Sequence, residues 1–163
     1  NENENNVINL LEAYNINYYF FKSEDELNVG KYKMLFLSPK VDYNDENDNS
    51  LVSYIDIDNI KFLFTGDISS KVEKDIIKEY KIDVDILSIS HHGSKTSSST
   101  EFLNSVNPSY FVISVGANNR YNHPSSDVVN KVEKLGGRLY RTDKDGSIKF
   151  LIKNGVTIFT TGT

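Results

Sequence analysis

A chain of 163 residues, 38% apolar and 25% charged, has the size and composition of one soluble globular domain with a core of its own. Its formal net charge of −5 argues against a surface that holds nucleic acid by bulk electrostatics, which needs a basic patch, although a bound metal could still supply positive charge locally. The absence of cysteine excludes disulfides and thiolate metal ligands, and no apolar run approaches the ~20 residues of a membrane helix.

Residues 1–6 lack signal-peptide character and read as a cut made inside a larger protein or as a mature amino terminus. Val7, Ile8, Leu10, Leu11 and Tyr14 predict a short first helix with a mostly apolar side. Residues 18–21 and 33–37 predict strands around a polar turn with Gly30. Residues 41–50 (VDYNDENDNS) are acidic and turn-rich, the pattern of a solvated loop. Residues 51–57 and 60–65 predict a hairpin joined at Asp58-Asn59, without the ideal Asn-Gly turn.

From there strands and helices alternate regularly. Strand 60–65 leads through Gly66-Asp67 into a helix over 71–80, with Ser70 and Glu73 as a capping box and Val72, Ile76, Ile77 and Tyr80 as the buried stripe. Strand 85–90 leads through His91-His92-Gly93-Ser94 into a second helix, which Ser98 with Glu101 starts and Pro108 stops. Strand 110–115 leads through residues 116–124 into a third helix over 127–135, with Val128, Val129, Val132 and Leu135 as its apolar face and Gly136-Gly137 as its end. The tail predicts three strands: 138–142, then 147–152 after a turn at 144–146, then 156–161 after Asn154-Gly155. No repeat or internal boundary interrupts the pattern, so residues 1–163 read as a single α/β unit.

The chemistry-bearing residues fall at three successive strand-to-helix junctions: Asp67, then His91 and His92, then His123. Ligands of an α/β sheet sit outside the carboxyl ends of its strands, and all three histidines of the chain lie at such ends. Ser and Gly precede each helix, where free backbone N–H groups can hold an anion such as phosphate. A carboxylate and imidazoles at one sheet edge suit Zn²⁺ or Mn²⁺. Singly, each residue has an ordinary explanation: Asp67 as a turn residue, adjacent histidines as surface groups, His123 as a loop anchor. Their shared placement on consecutive junctions points to a site.

The blocks at residues 47–52 (NDNSLV), 62–68 (FLFTGDI), 91–98 (HHGSKTSS), 112–121 (VISVGANNRY), His123-Pro124 and 140–146 (YRTDKDG) closely resemble the metallo-β-lactamase domain of ComEC-type competence proteins and their small stand-alone relatives. The resemblance runs over almost the whole chain. It implies a metallo-β-lactamase-type αββα sandwich, of which this chain is the C-terminal half, with a divalent metal, zinc or manganese, at one sheet edge. It implies phosphodiester hydrolysis during DNA uptake, in a protein that is extracytoplasmic and tethered to a membrane channel, or secreted. Residue by residue, Asp67 matches the metal-bridging carboxylate, and His91-His92 the late histidine ligand. His92 is preferred because it directly precedes Gly93, with His91 the alternative. Asp67 and His92 are therefore the expected catalytic pair. Ser94, Lys95 and His123 match positions near the substrate phosphate.

The sequence also departs from that family. Its main ligands come from an earlier His-x-Asp-x-Asp-His-type motif, and here no histidine precedes His91. A catalytic zinc site normally has three protein ligands and an open position. The segment alone is therefore expected to be a poor enzyme with an incomplete ligand set, and two readings follow. It is part of an active metal-dependent hydrolase whose other ligands come from a missing N-terminal half or another chain; or it is a degenerate, non-catalytic module used for binding or assembly. Half a sandwich also predicts a bare apolar sheet face, covered by self-association.

Overall fold

The two positions that join residues 52–57 to 60–64 decide the first half of the sheet. Asp58 and Asn59 both adopt left-handed backbone, φ 49° and 67°. That is the type I′ geometry whose twist matches the strands it links, and Asn and Asp tolerate it better than other side chains. The expected hairpin therefore forms without the Asn-Gly pair.

The computed structural model describes residues 2–153 and 155–162. In chain order these form α1 (Glu2–Ala13), β1 (Glu26–Val29), β2 (Tyr32–Ser38), β3 (Val52–Ile57) and β4 (Ile60–Phe64). There follow α2 (Ser70–Glu79), β5 (Ile86–Ser88), α3 (Thr100–Val106), β6 (Tyr110–Ile113) and α4 (Ser126–Leu135). The tail holds β7 (Arg138–Arg141), the helical turn α5 (Thr142–Asp145), β8 (Ile148–Ile152) and β9 (Val156–Thr160).

Strands β1 to β7 make one seven-stranded sheet in sequence order, antiparallel from β1 to β4 and parallel from β4 to β7. Each parallel step needs a crossover, supplied by α2, α3 and α4. Crossovers of one hand between neighbouring strands place their helices on one face. The buried residues agree. Val72, Ile76, Phe102, Leu103, Val106, Val128 and Val132 pack with Leu63, Leu87, Phe111 and Ile113 in one core. Strand neighbours point the other way, as a period of two requires. Phe62, Ile86, Tyr110 and Val112 form a second cluster with Phe150, Ile152 and Val156.

That second cluster corrects the expected bare face. The tail strands divide between two sheets: β7 joins the large one, while β8 and β9 pair separately and lie across its other side. The Phe150 ring meets Phe62, Tyr110 and Tyr140 edge-on at 6.2, 6.3 and 6.4 Å. In the turn between β8 and β9, Asn154 lies outside the described residues; Lys153 N–H donates to the Gly155 carbonyl at 3.0 Å.

Other expectations are also corrected. Residues 18–21 form no strand, and Tyr19 and Phe20 are exposed. Instead β1 pairs with β2 across Gly30-Lys31, since a two-residue link closes at lower entropic cost than the longer loop from residue 21. The apolar side of α1 is only partly covered: Ile8 and Leu11 are half-buried, while Val7 and Leu10 are exposed. The Ser70–Glu73 capping box does not form. Ser69 is the N-cap of α2, and Glu73 is buried, accepting from the Ser98 and Ser99 N–H groups at 2.5 and 2.8 Å. Helix α3 is capped by Ser99, whose Oγ accepts from Phe102 N–H at 3.2 Å, and not by Ser98. The acidic loop 41–50 is not wholly solvated either. Asp48 is buried and accepts from Ser69 N–H at 2.8 Å, a carboxylate at the positive end of α2. No helix among the described residues is long and apolar enough to cross a membrane.

Candidate functional site

The carboxyl ends of β4, β5 and β6 share one sheet edge, and backbone hydrogen bonds tie their junctions together. After β4, Thr65 is buried and donates through Oγ1 to the Ser88 carbonyl at 2.7 Å. Gly66 then turns with φ 55°, and the Asp67 N–H donates to Ser50 Oγ at 3.1 Å. After β5, His91 and His92 are two consecutive left-handed residues, at φ 50° and 54°. Such backbone is costly for side chains with a Cβ and persists only where the surroundings hold it. Here the His91 N–H donates to the Gly66 carbonyl at 3.0 Å, and Ser125 N–H to the Gly93 carbonyl at 2.9 Å.

This contorted turn places the histidines. The His92 Nδ1 lies 2.6 Å from the Ser114 carbonyl, which can only accept. Nδ1 therefore carries the proton, and in the neutral ring the lone pair is on Nε2. That atom lies 3.8 Å from Asp67 Oδ1. A backbone carbonyl that holds the far nitrogen is the support metal-binding imidazoles commonly have. His91 turns instead toward His123, ring centroids 5.8 Å apart and 75° between planes. Burial, with His91 and His92 nearby, holds His123 below the ordinary imidazole pKa.

The junction after β6 is built on Asn119. Its Oδ1 accepts from the Tyr121 and His123 N–H groups at 3.2 and 3.0 Å, and its Nδ2 donates to the Gly116 and His123 carbonyls. A cleft of about 500 Å³ opens here, lined by His92, Ser114, Val115, Asn119, Tyr121 and His123, with Gly116 and Thr142. Sequence reasoning assigned no role to Asn119, Tyr121 or Thr142, although each falls within a block that carried the resemblance. Thr142 Oγ1 donates to the Val115 carbonyl at 2.8 Å and accepts from its N–H at 2.7 Å, which seals the cleft wall.

The other expected site residues lie on the loop that follows His92. Ser94 is 5% exposed, and its Oγ lies 3.0 Å from Thr96 Oγ1, so it shapes the loop below the surface. Lys95 is exposed. The expected anion sites at two helix N-termini are already filled from within: Glu73 takes Ser98 and Ser99 N–H before α3, and Asp48 takes Ser69 N–H before α2. Asp67 and His92 fit as two ligands of a divalent ion by donor type and mutual distance. Among the described residues, no group of three or more His, Asp or Glu side chains is arranged to hold one.

Gly93 sets how closely two junctions approach. Its φ is +81°, and an added Cβ would lie 2.5 Å from Pro124 Cβ and 3.1 Å from Pro124 Cα. Gly93→Ala is expected to cost about 2 kcal/mol in urea denaturation, from strain and overpacking together. Gly116→Ala, where a Cβ meets nothing within 4 Å, serves as the neutral control. Equal midpoints for the two variants would contradict this account.

No family model matches the chain. It is 34% identical over 140 residues to ComE operon protein 3 of Bacillus subtilis (strain 168), which covers 85% of this chain. It is 39% identical over 123 residues, 74% of its length, to competence protein ComA of Neisseria gonorrhoeae. The aligned segment is 18% of each of these relatives. Among solved structures, the metallo-β-lactamase fold protein YhfI from Bacillus subtilis superposes with a TM-score of 0.50 at 10% identity, over 93% of this chain and 61% of that one. Sequence and fold together place the chain in the ComEC family of competence proteins, as a metallo-β-lactamase-fold domain of that type.

Proposed function

We propose that this chain is the carboxyl-terminal part of a metal-dependent phosphodiester hydrolase that acts on DNA during uptake. The observation that carries the reading is the meeting of Asp67 and His92, from separate junctions, at 3.8 Å, with the His92 ring oriented by the Ser114 carbonyl. A divalent ion, zinc or manganese, would supply Lewis-acid polarisation of a phosphate oxygen and acidification of a water.

The chain's own residues supply the rest. Asp67 and His92 would hold the ion. His123, whose pKa is lowered by burial and by His91 and His92, accepts or returns a proton at an imidazole nitrogen beside the cleft. Lys95, exposed on the loop after His92, pairs with phosphate oxygens. The remaining ligands come from a segment upstream of this chain, in a larger protein tethered outside the cytoplasm. The alternative, a non-catalytic module for binding or assembly, draws on one observation: the described residues lack a third ligand.

Elemental analysis and nuclease assays on two preparations test the proposal. The 163-residue segment should keep well under one equivalent of zinc or manganese after dialysis and show background cleavage. The complete protein should gain metal and cleavage together. A complete protein that cleaves equally well in EDTA sinks the metal dependence, and one that loads metal yet does not cleave sinks the hydrolase reading. Stoichiometric metal in the segment alone would mean that the ligand set is misassigned.

A further inference from the structure

We infer that Tyr121 is a stacking platform for an unpaired nucleobase, and that it makes the cleft select single-stranded over duplex nucleic acid. The inference deepens the reading above and rests on it: the phosphate would lie at Asp67 and His92, and the base beside it.

An exposed aromatic ring at the mouth of a reactive cleft calls for a reason, and Tyr121 is 61% exposed. It lines the same cleft as His92 and His123. Its ring lies nearly parallel to His123, 21° between planes with centroids 5.8 Å apart. His123 stacks against the Tyr121 ring at that offset, and the Tyr121 side chain as a whole stays mostly exposed. The Arg120 guanidinium lies over the Tyr121 ring, its carbon 4.8 Å from the centroid, and its Nη2 donates to the Tyr121 hydroxyl. The cation is therefore drawn toward the hydroxyl end of the ring, where it can meet a phosphate next to a stacked base.

The platform is held in place before any ligand arrives. Both backbone N–H groups that fix the loop, those of Tyr121 and His123, end on the one Asn119 Oδ1. Little conformational freedom remains to be lost on binding. The cleft, about 500 Å³, lies within the roughly 300–1,000 Å³ typical of small-ligand sites. Gly116, an exposed residue of the cleft lining, has no heavy atom within 4 Å of where a Cβ would be, so the cleft is open there. A base within a duplex already has both faces stacked, so it cannot use this surface unless it is extruded. Unpaired bases stack on aromatic side chains without regard to sequence.

The test uses the metal-loaded full-length protein and probes with a phosphorothioate backbone, so that binding is read without cleavage. The probe is a short thymidine-rich oligonucleotide with one 2-aminopurine, used as a single strand and annealed to its complement. Wild type should bind the single strand and quench its fluorescence. Tyr121→Phe should do the same, and Tyr121→Ala should bind roughly tenfold more weakly with the quenching lost. Duplex binding should be weaker and indifferent to the substitution. Circular dichroism of each variant checks the fold. Single-strand affinity and quenching unchanged in Tyr121→Ala, or a duplex preference that depends on Tyr121, would overturn the inference alone. No binding of either probe would remove the nucleic-acid reading beneath it, and the inference with it.

Discussion

Asp67→Asn in the complete protein should lose metal-dependent phosphodiester cleavage by roughly 100-fold or more, with an unchanged denaturation midpoint. The two effects separate because of where the residue sits. Its carboxylate is 40% exposed and faces His92 Nε2 at 3.8 Å, so little folding energy depends on it. Its structural contact is the backbone N–H to Ser50 Oγ, which Asn retains. Removing the charge takes away a ligand and leaves the turn. Metal content and turnover measured on the same preparation decide the matter, and near wild-type turnover would falsify the assignment of Asp67. A variant that unfolds would instead mean that the carboxylate is structural.

Glu73→Ala should have the largest effect on stability, a loss of about 4 kcal/mol. The carboxylate is buried and joins three segments: α2, which carries it, the turn at Ser90, and the start of α3. Truncation strands the Ser98 and Ser99 N–H groups away from water, each at about 1–3 kcal/mol. Such a loss is a large share of the 5–15 kcal/mol that holds a typical domain. Urea denaturation of the variant measures it, and a midpoint close to wild type would show that water replaces the carboxylate. Because the bonded loop follows His91-His92 directly, Glu73→Ala should also loosen the site.

The same residue predicts a pH dependence. Burial raises the Glu73 pKa above the ordinary glutamate value, against the lowering effect of its hydrogen bonds. With the folded pKa above the unfolded one, the contribution is full below the unfolded value of about 4.3 and is lost as pH rises through the folded value. Wild type should therefore lose stability over that window relative to Glu73→Gln, which cannot ionise. Parallel stability curves for the two proteins would contradict the sign.

Sequence alone determined the features that depend on near neighbours. The strand–helix alternation after residue 60, the hairpin at Asp58-Asn59, the end of α4 at Gly136 and the placement of Asp67, the histidine pair and His123 at junctions all follow from periodicity and turn chemistry. These are read within a window of a few residues, and each reappears in the fold.

What only the tertiary structure decided depends on partners distant in the chain. Glu73 has the spacing of a capping residue, yet it serves N–H groups 25 and 26 residues away, because α3 begins beside α2. Two adjacent histidines are equivalent by sequence; hydrogen bonds to the carbonyls of Ser114, 22 residues on from His92, and of Gly66 aim His92 at Asp67 and leave His91 to His123. Residues 18–21 have strand composition but lose their place to β1, which has the shorter loop to β2. The tail strands look alike in sequence, and only packing on Phe62 and Tyr110 separates β8 and β9 from the main sheet. Composition and periodicity record which residues prefer burial or extension. They do not record which buried group meets which, because that is fixed by contacts the chain makes only after its crossovers have closed.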